Sequence, residues 1–328
     1  MADTKKKQLN AGKLITDWAA VIAVAFLLVF FSAKMPDTFA TGANFTTIFR
    51  SIAVTTVMAM GLTMTLAVGG FDLSAGSTAT MASFILMSLL IWYDMNVWLA
   101  ILLTIAGTLL ITLCTMFLIV VCKIPDLLAT CAMMFFLDGL SLTYSGGGAI
   151  SAGMPRPDGS QSLGGVPTVL KTMGTSPTII VIMVAVVIFV HIFLNYTKYG
   201  RYIYGVGGNR TAARLSGIPV QKYRILAGLM AGTFIALAGI LVASRNQSAQ
   251  INGAAAFSMP ALSAVFIGRS VAGQGKPNAV GTLIGATLVG VLDNGLVMMS
   301  VPYYSLNAIK GVVLAIALAS AYYTTKEE

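Results

Sequence analysis

The sequence predicts an all-α polytopic membrane protein with about ten transmembrane helices and with both termini in the cytoplasm. Of its 328 residues, 57% are apolar and 9% are charged, whereas about a quarter of the residues of a soluble domain are charged. The apolar residues form continuous runs, most of them close to the roughly 20 residues that a helix needs to cross a bilayer, and not the alternating pattern of a β-barrel. The lysines and arginines concentrate on one side of these runs, as the positive-inside rule requires.

The apolar runs define ten predicted spans in a single membrane domain of residues 1–328. They fall at residues 15–33, 51–69, 75–92, 97–121, 127–143, 178–196, 225–243, 260–274, 279–300 and 303–322. The run at 260–274 is short and contains Arg269, so a re-entrant loop is the alternative there. The first run follows four lysines in a cytoplasmic tail of residues 1–14. It is longer than the apolar part of a signal peptide and lacks a clean cleavage site, so it predicts an uncleaved anchor.

The distribution of charge predicts which loops face the cytoplasm. Of the 20 lysines and arginines, fourteen fall inside when the N-terminus is cytoplasmic, five fall outside, and Lys310 lies within the last span. The five outside residues are Lys34, Arg50, Arg156, Lys171 and Arg245. Tryptophans and tyrosines at the ends of the spans agree with two membrane interfaces. The net charge of +9 is therefore a topology signal that suits anionic membrane lipid, and it does not indicate a nucleic-acid-binding protein.

The sequence contains no recognisable metal, cofactor or nucleotide-hydrolysis motif. Its three cysteines form no Cys-x-x-Cys pair, and a single histidine, His191, excludes a histidine-based metal cluster. Gly275-Lys276 resembles the end of a phosphate-binding loop, but Ser270 replaces the first glycine of that motif and Pro277 replaces its serine or threonine. If ATP drives transport here, the ATP and its magnesium ion must bind another polypeptide.

Two predicted aqueous loops are long. The outer loop at 144–177 is rich in glycine, serine and proline, and we expect an irregular extracytoplasmic cap. The inner loop at 197–224 carries six positive charges and no negative one. Within it, Arg210–Ser216 predicts a short helix with Asn209 as N-cap and Gly217 as its end. The loop suits an acidic cytoplasmic partner or anionic lipid, although lipid alone does not explain a helix between glycines.

Charged residues inside the spans are candidates for the translocation path, because charge in lipid is costly and usually faces protein or water. Asp293 and Lys310 lie at similar depths on either side of the predicted turn near 300–302. They either form an ion pair or line the path separately. Asp138, near the outer part of its span, either faces water or hydrogen-bonds a hydroxylated substrate.

The segment Gly69-Gly70-Phe71-Asp72-Leu73-Ser74 separates two predicted spans. Two glycines end the first helix, and the side chain of Asp72 or Ser74 can cap the next one. The segment is either a simple turn between helices or the break of a discontinuous helix whose polar ends move during transport.

Several strings resemble the permeases of ribose-type ABC sugar importers, the ribose, xylose, arabinose and galactose class of binding-protein-dependent inner-membrane components. The longest are KYGRYIYGVGGN at 198–209 and AARLSGI at 212–218, which resemble the cytoplasmic coupling loop of that family. Shorter matches are GGFDLSAGS at 69–77, GTLIGA at 281–286, NGL at 294–296 and IKG at 309–311. They follow the order of the family and cover the chain from about residue 45.

The resemblance implies a permease subunit of a bacterial inner-membrane importer for a monosaccharide or similar polyhydroxylated molecule. It implies ATP-binding subunits on the cytoplasmic face, a second permease copy or paralogue, and an extracytoplasmic substrate-binding protein. The ATPase-coupling residues that it implies are Gly200, Arg201, Gly207, Gly208, Asn209, Ala212, Ala213, Arg214, Ser216 and Gly217. The candidates for the path or its gating are Asp72, Ser74, Asp138, Asp293, Asn294 and Lys310.

The chain also departs from the family pattern. Ser258-Met259-Pro260-Ala261-Leu262 replaces an acidic Glu-Leu-x-Ala-Ile stretch, Gly268-Arg269 replaces a glycine pair, and Asp138 stands where a basic residue is frequent. These departures leave open the substrate and the pairing of two identical permeases. The alternative function is an ion-coupled secondary transporter that uses Asp138, Asp293 and Lys310, and a membrane scaffold without transport is a third possibility.

Overall fold

The computed structural model describes residues 18–269, 271, 275–302, 304–306, 308, 309, 311 and 312. The helices with described bounds are α1 Ala19–Lys34, α2 Gly42–Ala67, α3 Ala75–Ile91, α4 Val97–Val120, α5 Asp126–Ser145, α6 Thr168–Met173, α7 Thr178–Tyr196, α8 Lys198–Gly208, α9 Arg210–Leu215, α10 Val220–Asn246, α11 Ala255–Gly268 and α12 Ala279–Met298. Two short strands, β1 Ile150–Ser151 and β2 Ser248–Ala249, pair antiparallel.

Six of the described helices are long and apolar enough to cross a membrane, namely α2, α4, α5, α7, α10 and α12. Three shorter apolar helices, α1, α3 and α11, match three further predicted spans. Most of the last predicted span, 303–322, lies outside the described residues. The structure therefore confirms a polytopic helical membrane protein, and the count of ten and the side on which each terminus lies stay predictions.

Helices α2 and α11 differ from the spans predicted for them. Helix α2 begins at Gly42, nine residues before the predicted span, because Thr41 caps it by accepting the N–H of Asn44 at 3.2 Å. Its first turns are polar and did not register as part of an apolar run. Helix α11 covers Ala255–Gly268, so it both begins and ends earlier in the sequence than the predicted span 260–274.

Helices α2 and α10 form the centre of the bundle. Helix α2 contacts α7, α10, α11 and α12, and α10 contacts α2, α3 and α4. Most residues of both are buried, whereas most residues of α4 and α5 are at least partly exposed. The apolar surface of α4 and α5 suits lipid, because a bilayer replaces water as the solvent of these side chains.

Glycines let several helices of the bundle approach each other closely. In α12, Gly281 lies against the backbone of Gly268, and Gly285 lies against the backbone of Ala264, both in α11. In α10, Gly232 lies against the side chain of Thr112 in α4. These glycines of α10 and α12 therefore serve helix contacts within the chain.

The loop at 144–177 is more ordered than an irregular cap. It contains β1, which joins it to β2 beyond α10, and helix α6. The hydroxyl of Ser244 donates a hydrogen bond to the carbonyl oxygen of Leu170 and fixes α6 against α10. A two-stranded pairing is thus added to the predicted all-α fold.

The loops meet at two opposite ends of the bundle. One of them, the basic end, carries nine described lysines and arginines: Lys123, Lys198, Arg201, Arg210, Arg214, Lys222, Arg224, Arg269 and Lys276. The other end carries β1, β2 and α6. The charge difference predicts that the basic end faces the cytoplasm.

Candidate coupling surface and translocation path

Two consecutive helices form the basic loop. Thr197 caps α8 by accepting the N–H of Gly200 at 3.1 Å. Asn209 caps α9 by accepting the N–H of Ala212 at 3.0 Å. The chain leaves α9 through Gly217, whose φ of +78° suits glycine. The predicted short helix, its N-cap and its end are confirmed.

Helix α8 was not predicted, because its glycines and tyrosines were read as loop. Two signals could have revealed it. Thr197 is a good N-cap residue, and the buried Ile203 and Val206 lie three residues apart on one face. The hydroxyl of Tyr204 donates to the carbonyl oxygen of Pro277 at 2.7 Å and joins α8 to the turn before α12. Burial raises the pKa of Tyr204 to about 12.

Most residues that the resemblance assigns to ATPase coupling lie on the surface. The exposed ones are Arg201, Gly207, Gly208, Asn209, Ala212, Arg214, Ser216 and Gly217, and the buried ones are Gly200 and Ala213. Leu215 is 85% exposed at the end of α9. Helix α9 therefore projects the basic side chain of Arg214 and the large apolar side chain of Leu215 from the basic end.

The inner side of this loop rests on the turn between α2 and α3. The N–H of Gly70 donates to the carbonyl oxygen of Thr65 at 2.8 Å, which closes α2. Nη2 of Arg210 donates to the carbonyl oxygen of Gly69 at 2.5 Å. A Cβ added at Gly207 would overlap the carbonyl oxygen of Ala67. The two segments therefore touch backbone to backbone.

Asp126 joins three elements at the basic end, and it is not among the residues predicted from the sequence. It is the first residue of α5, and its Oδ1 lies 2.5 Å from Nη2 of Arg224 in α10. Its Oδ2 lies 4.0 Å from Nη2 of Arg210 in α9. The side chains of Asp126 and Arg224 are 18% and 14% exposed. The available signal was an acid after Pro125 at a helix start, next to a basic loop.

Asp72 accepts two hydrogen bonds from Ser74. Oδ1 of Asp72 accepts the N–H of Ser74 at 2.8 Å and its hydroxyl at 2.7 Å. Ser74 occupies the N-cap position of α3, but its side chain makes no hydrogen bond to the helix. The expected side-chain cap was therefore wrong, since these atoms form a local turn instead.

Asp72, in the turn between α2 and α3, lies in a recess. The recess is lined by Thr65, Val68, Gly70, Phe71, Asp72, Met116, Ile119, Asp126, Thr130, Arg224 and Gly228. Loss of hydration there raises the pKa of the Asp72 carboxyl. The N–H of Leu73 donates to Oγ1 of Thr130 at 3.2 Å, which attaches the turn to α5.

Helices α3 and α11 begin beside each other within the bundle. Gly76 lies against Ala255 and Ser258, and the N–H of Ala254 donates to Oγ1 of Thr80 at 3.2 Å. Ala79, one turn further along α3, lies against Gly239 in the interior of α10. The non-helical segment before α3 therefore enters the bundle, as in a discontinuous helix. Ser258 belongs to the string that departs from the family pattern.

The remaining path candidates lie on separate helices. Asp138 is partly exposed on α5, which contacts α3 and α4. Asp293 and Asn294 are partly buried on α12, which contacts α1, α2, α7 and α11. Lys310 lies outside the described residues, so its pairing with Asp293 stays a prediction. Within the described part of the chain, no group of three histidine, cysteine or acidic residues could hold a metal ion.

Comparison with known proteins places the chain in a family. Residues 44–318 match the family described as branched-chain amino acid transport system / permease component. The chain is 32% identical over 299 residues to the ribose import permease protein RbsC of Escherichia coli (strain K12), covering 91% of both chains. It is 30% identical over 298 residues to RbsC of Bacillus subtilis (strain 168), covering 89% of both.

A third relative carries a different name. The chain is 30% identical over 268 residues to the autoinducer 2 import system permease protein LsrD of Escherichia coli O9:H4 (strain HS), which covers 80% of this chain and 78% of that protein. The chain thus matches permeases named for two different solutes. Together the family match and these relatives show that the chain belongs to the permease components of ribose-type ABC importers and is a multi-pass protein of the bacterial inner membrane.

Proposed function

We propose that this chain forms part of the translocation path of a binding-protein-dependent importer for a monosaccharide or a similar polyhydroxylated molecule, and that ATPase subunits dock on α9. The observation that carries the proposal is α9 itself, a capped helix at the basic end with Leu215 85% exposed. A basic helix that ends in an exposed leucine suits a protein groove with an acidic rim. Binding to anionic lipid headgroups would require only the positive charge of the loop and would not account for the exposed leucine.

The energy for transport comes from the partner subunits in this proposal. The sequence lacks a phosphate-binding loop, so ATP and magnesium bind the docked ATPases. Closure of the ATPase pair moves the α9 helices of two permease subunits, either two copies of this chain or this chain and a paralogue. The bundle then changes from inward-facing to outward-facing, and an extracytoplasmic binding protein delivers the substrate to the opposite end.

A hydroxylated substrate suits the side chains in the bundle. The first turns of α3 carry Ser77, Thr78 and Thr80, which are buried. Hydroxyl groups can both donate and accept hydrogen bonds, as sugar hydroxyls do. The relatives are named for ribose and autoinducer 2 import, which supports a small polyhydroxylated solute without naming it.

Co-purification of the ATPase subunit tests the docking site. Leu215→Asp places a negative charge on the exposed end of α9 and is expected to reduce the amount of retained ATPase at least about tenfold, as a like-charge clash at an acidic rim would. Leu163→Asp is the matched control, because Leu163 is 71% exposed at the opposite end. It should retain the ATPase as the wild-type chain does.

Two results would contradict the proposal. One is full retention of the ATPase by Leu215→Asp. The other is uptake that persists without ATP and stops when the proton gradient is removed, which would favour the ion-coupled transporter that uses Asp138, Asp293 and Lys310. Binding of candidate sugars to the partner binding protein then identifies the substrate, since that protein supplies the selectivity.

A further inference from the structure

We propose that Arg210 and Asp126 are positioning residues, which transmit movement of α9 to the α2–α3 turn and from there to the contact between α3 and α11. The proposal rests on the proposed docking of an ATPase on α9. It assigns to Arg210 a role different from that of Arg214, one turn further along the same helix. Both side chains are exposed, Arg210 by 44%; Arg214 is available to a docked partner, whereas Arg210 donates to the carbonyl oxygen of Gly69 within the permease.

The first step joins α9 to the turn. Arg210 donates a charge-assisted hydrogen bond to the carbonyl oxygen of Gly69, the second residue after the end of α2. Gly207, at the end of α8, lies against the backbone of Ala67 and Gly69. Backbone atoms in contact cannot move aside as a side chain can. A displacement of the α8–α9 segment therefore displaces the turn.

The second step fixes the direction of Arg210. Asp126 lies within 2.5 Å of the guanidinium of Arg224 and within 4.0 Å of that of Arg210. The two guanidinium groups would repel each other without the carboxylate between them. Asp126 therefore holds α5, α9 and α10 in one arrangement at the basic end and keeps Arg210 aimed at Gly69.

The third step carries the displacement into the bundle. Only five residues separate the Gly69 carbonyl from the start of α3, and the bonds between Asp72 and Ser74 stiffen them. Gly76 then contacts α11 at Ser258, and Thr80 binds the N–H of Ala254. A movement of the turn thus reaches the point where the two short helices begin.

Coupling between hydrolysis and uptake tests the proposal in proteoliposomes that contain this chain with its ATPase and binding protein. Arg210→Ala is expected to retain the ATPase within about twofold, whereas the sugar taken up per ATP falls about tenfold, the size of a typical coupling effect. Arg210→Lys keeps a charged donor and should recover much of the ratio. Arg214→Ala should instead lower retention, hydrolysis and uptake together.

Amide hydrogen exchange gives a second readout that a purely structural role would not affect. On trapping with a non-hydrolysable ATP analogue, exchange should change in residues 209–217 and in residues 69–74 of the wild-type complex. In Arg210→Ala the change in 209–217 should remain and the change in 69–74 should be lost. If Arg210→Ala does not fold, Arg210→Lys and Asp126→Asn are measured instead and should show a smaller loss of the same kind.

Two results would overturn the inference. One is a ratio of uptake to hydrolysis in Arg210→Ala equal to that of the wild-type complex. The other is a proportional loss of retention, hydrolysis and uptake that matches Arg214→Ala, which would make Arg210 a docking residue. Failure of the docking proposal looks different, because the wild-type chain would then retain no ATPase and show no exchange change in 209–217.

Discussion

Gly285→Ala should separate α11 from α12, whereas the same substitution at Gly107 in α4 should be tolerated. A Cβ at Gly285 would overlap the carbonyl oxygen of Ala264 and lie 2.9 Å from its carbonyl carbon and its Cα. These are backbone atoms, so relief requires the two helices to move apart. At Gly107, inside α4, the atom nearest the new Cβ is Cδ1 of Ile85, the far end of a side chain that can rotate, at 3.3 Å.

We expect the free energies of unfolding of the two variants to differ by about 2 kcal/mol. Overpacking costs about 1–3 kcal/mol, and contact with three backbone atoms places Gly285→Ala near the upper value. Alanine in place of glycine returns about 1 kcal/mol of helix propensity at both positions. A strained isoleucine rotamer costs about 1 kcal/mol, so Gly107→Ala should be close to neutral. A difference of about 2 kcal/mol is roughly a 30-fold change in the unfolding equilibrium.

Unfolding in mixed detergent micelles, followed by circular dichroism, measures both free energies. Because both sites lie inside long helices and receive the same substitution, the comparison removes the effect of helix propensity. A wild-type free energy of unfolding for Gly285→Ala would refute the expected clash between the backbones of α11 and α12. Equal destabilisation of the two variants would refute it as well, since the nature of the neighbouring atoms would then not matter.

Three further substitutions test the basic end. Asn209→Ala removes the N-cap of α9 and should cost about 1 kcal/mol of helix stability, seen as faster amide exchange in α9. Asp126→Ala leaves the Arg224 guanidinium, 14% exposed, without its carboxylate and should lower the free energy of unfolding by about 2–3 kcal/mol, with part restored when Arg224 is also replaced by alanine. The pKa of Tyr204, about 12, exceeds the ordinary value of 10.0, so the unfolded chain ionises first and the stability from this phenol is lost between pH 10 and about 12. Tyr204→Phe should flatten the pH dependence of stability in that range.

Each of these expectations has a contrary result. Unchanged exchange in α9 after Asn209→Ala would mean that the cap contributes nothing. Additive losses in the Asp126 and Arg224 double variant would mean that the two residues act independently. For Tyr204→Phe, a stability profile above pH 10 identical to that of the wild-type chain would show that this phenol does not titrate differently on unfolding. Lys222→Ala removes an exposed charge from the same end and serves as the control for net charge.

The local features of the basic loop could be predicted from the sequence. Asn209 and Gly217 bracket α9, and both act through their own backbone neighbours within three residues. The family match and the apolar runs likewise depend on contiguous residues. Such signals require no knowledge of the neighbouring helices, so the helix, its ends and the membrane class followed from the sequence.

The features that need the tertiary structure could not be predicted. Asp126 and Arg224 are 98 residues apart in sequence, and no periodicity brings them together. The pairing of β1 with β2 joins residues on either side of five helices, α6 to α10. The assignment of Asp72 as a cap was wrong because two local bonding patterns compete for the same carboxylate, and only the backbone path decides between them.

The lengths of the helices bear on how the chain fits its bilayer. Helix α4 has 24 residues and is about 36 Å long, more than the roughly 30 Å of a hydrocarbon core. Helix α3 has 17 residues and is about 26 Å long, yet all of its residues except Ile85 and Leu89 are buried. A mismatch between helix length and bilayer thickness therefore affects α4 and the other peripheral helices, which can tilt to reduce it. The short helix that begins within the bundle is sheltered from that mismatch.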